Sequence, residues 1–127
     1  MRSVPQLTVQ VDSMNGVARI ALSGELDMAS TSILLDELTR SERDDFTAIM
    51  LDLRDLSFLD SAGLHEFVRA RERAEANGRR LIVVGANAGS RRLFDLTRTG
   101  FLLDDPEAID VISRFTESAA GSFPLDG

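Results

Sequence analysis

The chain has no cysteine and no lysine. The first absence removes disulfides, thiolate nucleophiles and thiolate metal sites together. The second removes Schiff-base chemistry, a Walker-type phosphate lysine and any Ser-Lys dyad. All 14 basic residues are therefore arginine. Histidine occurs once, at His65, and the carboxylates are scattered without ligand spacing, so no metal site and no cofactor is expected. No apolar run reaches the roughly 20 residues a membrane span needs, and the N-terminus lacks a basic region followed by an apolar core. A cytoplasmic protein without a membrane partner is the expectation.

What is present suits one compact domain: 127 residues, 43% hydrophobic and 28% charged. The domain is expected over residues 1–118. Residues 119–127 hold two glycines and a proline without periodicity and read as a frayed tail. The formal net charge of −7 disfavours nucleic acid, where phosphate neutralisation dominates affinity. Arg69, Arg71, Arg73, Arg79 and Arg80 alternate with Glu66, Glu72 and Glu75, which describes a solvated helix face more than a basic patch.

Hydrophobic periodicity gives alternating strands and helices. Leu7 to Val11 and Val17 to Leu22 read as a hairpin about the turn-rich Ser13-Met14-Asn15-Gly16. Ser30 to Arg40 reads as an amphipathic helix opened by Asp27 or Ser30, with Ile33, Leu34 and Leu38 facing inward. Ala48 to Leu53 is the next strand, Ser61 to Ala76 the next helix, and Asn77-Gly78 its stop. A buried strand, Leu81 to Val84, precedes a helix over Ser90 to Leu96. Phe101 to Leu103 reads as a short edge strand, and Pro106 to Phe115 as a last helix with proline near its first position. The order implies an α/β fold: a mostly parallel, mixed sheet of about four to five strands covered by about four helices.

The segment from Leu51 to Leu64 carries the most information. A buried strand runs through a short loop, Arg54 to Leu59, into a helix whose first residue is Ser61, with Asp60 as cap. Free N–H groups and the positive end of the helix dipole favour an anion there, by about 0.3–1 kcal/mol when exposed. A phosphate on Ser61 would add about −1.5 to −2 charges to the surface without disturbing the core. The plainer reading makes Asp60 and Ser61 ordinary capping residues.

Two catalytic readings fail on their own requirements. A serine hydrolase elbow needs glycine two residues before its serine, where Leu59 stands; His65 lies four residues after Ser61 but lacks an orienting acid and an oxyanion pocket. A phosphoaspartate receiver would use Asp52 at the end of a central strand, yet the acidic pair for magnesium and the late lysine are missing. Asp52 is then a strand-end residue capping the loop that follows. Gly85 to Gly89 with Ser90 reads as a helix start before a phosphate cradle. A non-enzyme is expected.

The run Leu53-Arg54-Asp55-Leu56-Ser57-Phe58-Leu59 followed by Asp60-Ser61-Ala62-Gly63-Leu64 resembles the signature of the STAS family, the anti-sigma factor antagonists. Gly24-Glu25-Leu26-Asp27 is similar to the family's early loop motif. Arg92-Leu93-Phe94-Asp95-Leu96-Thr97-Arg98-Thr99-Gly100 is similar to its late helix. The resemblance covers Leu7 to Phe115 and departs at Ala62, where many relatives carry a second hydroxyl. It implies a STAS fold and a partner switch. The unphosphorylated chain would bind an anti-sigma factor that is also a serine kinase, freeing a sigma factor, and phosphorylation of Ser61 would end that binding. The kinase would supply ATP, Mg²⁺ and the catalytic base. A PP2C-type phosphatase would reset Ser61, and the chain would be a monomer or weak homodimer. Asp27, Asp60 and Gly63 would flank the docking surface, Gly63 by allowing close backbone approach. His65, Glu66 and Arg69 would add partner-selective contacts, although a solvated face is the stronger reading of them. The alternative within the family is a scaffold or nucleotide-sensing module of a larger assembly.

Overall fold

A computed structural model describes residues 6–120. Strands β1 (Leu7–Met14) and β2 (Val17–Leu26) form the hairpin, with Asn15 and Gly16 at φ 54° and 81° in its turn. Two positive φ values in succession match the right-handed twist of the flanking strands. Then follow α1 (Thr31–Glu42), β3 (Ala48–Leu59), α2 (Ser61–Ala76), β4 (Arg80–Val84), α3 (Ala88–Leu96), a 3₁₀ turn (Gly100–Leu102) and α4 (Ala108–Ala120). The sheet order is β1-β2-β3-β4; β1 is antiparallel to β2, while β2, β3 and β4 are parallel. This is the expected mixed, mostly parallel α/β sheet, with four strands.

Each sheet face has its own core. On one, Ile20, Leu22, Leu51, Leu53 and Val83 meet Leu34 and Leu38 of α1, Leu64 and Phe67 of α2, and Phe94 of α3. On the other, Val17, Ala48, Met50 and Ile82 meet Val111 of α4. Burial of each of these side chains larger than alanine contributes about 1.5–3 kcal/mol. Phe67 and Phe94 are fully buried and stack with ring centroids 6.5 Å apart, tying α2 to α3.

Several boundaries differ from the sequence reading. β2 continues through Gly24-Glu25-Leu26, and β3 through Arg54 to Leu59, so neither segment is a loop. The pairing explains why the pattern hid this. Ala21 lies beside Asp52 but Ser23 beside Asp55, and Gly24 lies beside Leu56 but Glu25 beside Phe58. β3 thus carries one extra residue twice, and its inward positions fall at Leu53, Leu56 and Leu59, three apart instead of two.

The stretch expected as an edge strand, Phe101 to Leu103, is a 3₁₀ turn closed by Leu102 N–H to the Thr99 carbonyl and Leu103 N–H to the Gly100 carbonyl, and among the described residues it pairs with no strand of the sheet. In α1, Leu34 and Leu38 are buried, but Ile33 is 41% exposed and does not belong to the inward face. α4 starts at Ala108, two residues after Pro106, because the Asp105 carboxylate accepts the Glu107 N–H at 2.8 Å and fixes the turn before it. Of the expected tail 119–127, Ala119 and Ala120 belong to α4, and 121–127 lie outside the described residues.

Asp52 is not a strand-end residue, because β3 runs seven positions beyond it. It is buried in the sheet and accepts the backbone N–H of Arg54 at 3.1 Å and its Nε and Nη2 at 3.0 and 2.7 Å, with Arg19 Nη1 at 3.7 Å. Burial by itself pushes the Asp52 carboxyl up. The hydrogen bonds from Arg54 and the charges of Arg54 and Arg19 together outweigh it and hold the group below the ordinary aspartate range.

A folded-state value lowered in this way gives stability that is fully present above the ordinary aspartate range and is lost progressively as pH falls from that range through the lowered folded-state value. Urea unfolding of Asp52→Asn, compared at neutral pH and at about pH 3, is therefore expected to lose less stability on acidification than the parent chain. An equal loss would assign the acid sensitivity to other carboxylates. Phe67→Ala is expected to cost about 3–5 kcal/mol, read as a lower urea midpoint at unchanged slope.

Candidate functional site

β2 and β3 end together, Leu26 beside Leu59, so the loop after one and the helix after the other leave the sheet side by side. Asp60 links them. Its N–H donates to the Leu26 carbonyl at 3.2 Å. Its carboxylate accepts the Gly63 N–H at 3.0 Å, capping α2, and the Met28 N–H at 3.2 Å, fastening the loop before α1. One side chain thus serves two elements.

The loop is also braced from within. Asp27 Oδ1 accepts the N–H groups of Ala29 and Ser30 at 3.0 and 3.2 Å, while Ser30 Oγ accepts the Asp27 N–H at 3.0 Å and donates to the Glu25 carbonyl at 3.0 Å. Asp27 therefore turns the chain into α1. Ser30 occupies the cap position without a capping side-chain bond and is buried.

Ser61 is the first residue of α2 and exposed, and among the described residues its Oγ has no protein hydrogen-bond partner. Its own N–H and that of Ala62 precede the Gly63 N–H taken by Asp60, and as first-turn donors they have no intrahelical acceptor. His65 is exposed one turn later, and Arg69 donates from Nε to His65 Nε2 at 3.0 Å. Ser61, His65 and Arg69 thus form an i, i+4, i+8 stripe, with half-buried Glu66 beside it. The ring of His65 is engaged by a guanidinium and not by an orienting acid, unlike the arrangement a hydrolase needs.

Gly63, expected to allow close backbone approach beside a docking surface, is buried within α2. A Cβ there would lie 2.7 Å from Leu26 Cγ and 2.9 Å from Leu59 Cδ1, so the close approach it allows is that of α2 to the ends of β2 and β3. Two exposed apolar side chains were not evident in the sequence: Met28, 77% exposed beside Asp27 and Asp60, and Phe58, 49% exposed two residues before Asp60. Phe58 sits among strand residues whose facing is set by the register shifts. Only the paired structure shows that it points out.

A family model described as the STAS domain matches residues 8–108. The chain belongs to the STAS domain family. Among relatives of this STAS chain is the anti-sigma-B factor antagonist of Staphylococcus aureus, 27% identical over 105 residues, covering 83% of this chain and 97% of the relative. The anti-sigma-F factor antagonist RsfB of Mycobacterium tuberculosis is 34% identical over 64 residues, covering 50% of this chain and 52% of the relative. In structure, an anti-sigma factor antagonist from Mycobacterium paratuberculosis superposes with TM-score 0.75 at 26% identity, covering 91% of this chain and 99% of that one. The unphosphorylated form of the anti-sigma factor antagonist SpoIIAA gives 0.67 at 26% identity, covering 83% and 96%.

Asp60→Ala in this STAS domain is expected to cost about 1 kcal/mol and to speed amide exchange at both Gly63 and Met28. Faster exchange at Gly63 alone would show that the loop before α1 is held without Asp60.

Proposed function

We propose that this chain is an anti-sigma factor antagonist that binds an anti-sigma factor, itself a serine kinase, while Ser61 is unmodified, and releases it once Ser61 carries a phosphate. The observation that carries the reading is the exposed, unpartnered Ser61 hydroxyl at the capped start of α2. The names of the relatives support the antagonist role at the level of the whole chain.

The proposed docking surface comprises Asp27, Asp60, Ser61, His65, Glu66 and Arg69, with Met28 and Phe58 as apolar anchors. Gly63 contributes by seating α2 against Leu26 and Leu59. Exposed apolar side chains beside polar groups are what a partner interface buries at its centre. The chain needs no catalytic group of its own, since a kinase supplies nucleotide, metal and base. A PP2C-type phosphatase would reverse the modification. Among the described residues no helix is long and apolar enough to cross a membrane, which suits a cytoplasmic partner switch.

The size of the effect follows from where the phosphate would sit. A typical partner footprint is about 800 Å² per side, and a misplaced like charge inside one costs several kcal/mol, on the order of a hundredfold or more in affinity. Ser61→Ala is therefore expected to bind the anti-sigma factor as tightly as the parent chain, and Ser61→Asp about a hundredfold more weakly, measured by calorimetry with the purified partner. Equal affinities would remove the switch and leave a scaffold role within the same family.

A further inference from the structure

Helical side chains lean toward the N-terminus of their helix, so in α2 Arg69 reaches back over His65 and His65 over Ser61. The first contact is formed, with Arg69 Nε donating to His65 Nε2 at 3.0 Å. The second is open. Both residues are exposed, and among the described residues neither His65 Nδ1 nor Ser61 Oγ has a hydrogen-bond partner. Residues four apart on a helix have Cβ atoms about 5–6 Å apart. The hydroxyl leaves that gap unbridged, whereas a phosphate would carry its oxygens beyond Oγ and into it.

The bond from Arg69 fixes which ring nitrogen is available. A guanidinium only donates, so Nε2 accepts, and the neutral ring carries its proton on Nδ1. Protonation of the ring would add an N–H at Nε2 and break the bond from Arg69, but the Nδ1 donor would remain. Arg69, Glu72 and Arg73 share the side of α2 that holds His65, and half-buried Glu66 is its chain neighbour. On α1, which packs beside α2, Glu42 is held by Arg73 and Glu37 by Arg40. Asp27 and Asp60 stand together at the loop corner, where their carboxylates disfavour a dianion and leave the His65 side as the favourable one.

We propose that His65 receives the phosphate on Ser61, donating from Nδ1–H to a phosphate oxygen, and that Arg69 is the positioning residue that keeps the proton on Nδ1. This role rests on the reading of Ser61 as the phosphate acceptor. The phosphate is then held by its own helix, through the first-turn N–H groups and through an imidazole one turn on. It also occupies His65, so the modification withdraws a docking side chain from the partner in addition to placing charge in the interface.

The test uses the full chain with phosphoserine installed at position 61 during synthesis, so its outcome is separate from whether a kinase modifies Ser61. A ³¹P titration reads the second ionisation of the phosphate, ordinarily at about pH 6, and long-range ¹H–¹⁵N spectra read the tautomer of His65. The unphosphorylated parent chain is expected to show the Nδ1–H tautomer, and its Nδ1 resonance to move on phosphorylation. In His65→Ala the phosphate is expected to ionise about half a unit higher than in the parent, because loss of a donor disfavours the dianion. Arg69→Met is expected to shift the unphosphorylated ring to the Nε2–H tautomer and to raise the phosphate value by less. Both positions are exposed, so amide exchange at Gly63 should stay as in the parent, which separates loss of the contact from fraying of α2. Equal phosphate ionisation in the parent and His65→Ala, or an Nδ1 resonance indifferent to phosphorylation, would overturn the role of His65 while leaving Ser61 as acceptor. An unchanged tautomer in Arg69→Met would overturn that of Arg69.

Discussion

The parallel pairing of β2 with β3, maintained to their last residues, is the constraint on which the site depends. Because Leu26 and Leu59 finish side by side, the loop before α1 and the start of α2 emerge at one corner of the sheet. Asp60 can then serve both, capping α2 through Gly63 and holding Met28 in place. Gly63 completes the arrangement by letting α2 approach where a single methyl group would collide with Leu26 and Leu59. Ser61, at the first position of α2 and off its buried stripe, is exposed at that corner.

The same geometry separates the surface from the core. In α2 the buried residues Gly63, Leu64, Phe67, Ala70 and Ala74 recur at helical spacing, while Ser61, His65 and Arg69 occupy the opposite stripe. Charge added at Ser61 would meet the open N–H groups of the first turn and leave Phe67 and its partner Phe94 untouched. A modification that neither unfolds the chain nor needs a conformational change is suited to reversible use. The ion pairs of Asp52 with Arg54 and Arg19 lie on the other sheet face and contribute to stability independently of that corner.

Much of this was legible in the sequence because it rests on local chemistry. The 16 residues of α2 have the bounds that Asp60, the apolar spacing and Asn77-Gly78 announce. Asp60 and Asp27 could be picked out for the same reason, since capping residues act on backbone a few positions away, and Ser61 is placed as the residue that follows the cap. What escaped was set by pairing. The two extra residues in β3 break the alternation and disguise a strand as a loop, and with it the outward turn of Phe58. Phe101 to Leu103 has strand-like composition but no neighbour, so it closes as a 3₁₀ turn. The inward use of Gly63 depends on Leu26, 37 positions earlier in the chain, and no local pattern records it.

The proposed switch requires Ser61 to accept a regulatory phosphate. It is tested most directly by intact mass and peptide mapping of the parent chain and of Ser61→Ala after incubation with ATP and a soluble extract of the source cells. One phosphoryl group is expected, on the peptide containing Ser61, and none on the alanine variant. Phosphorylation elsewhere, or none in an extract with demonstrated serine kinase activity, would contradict it.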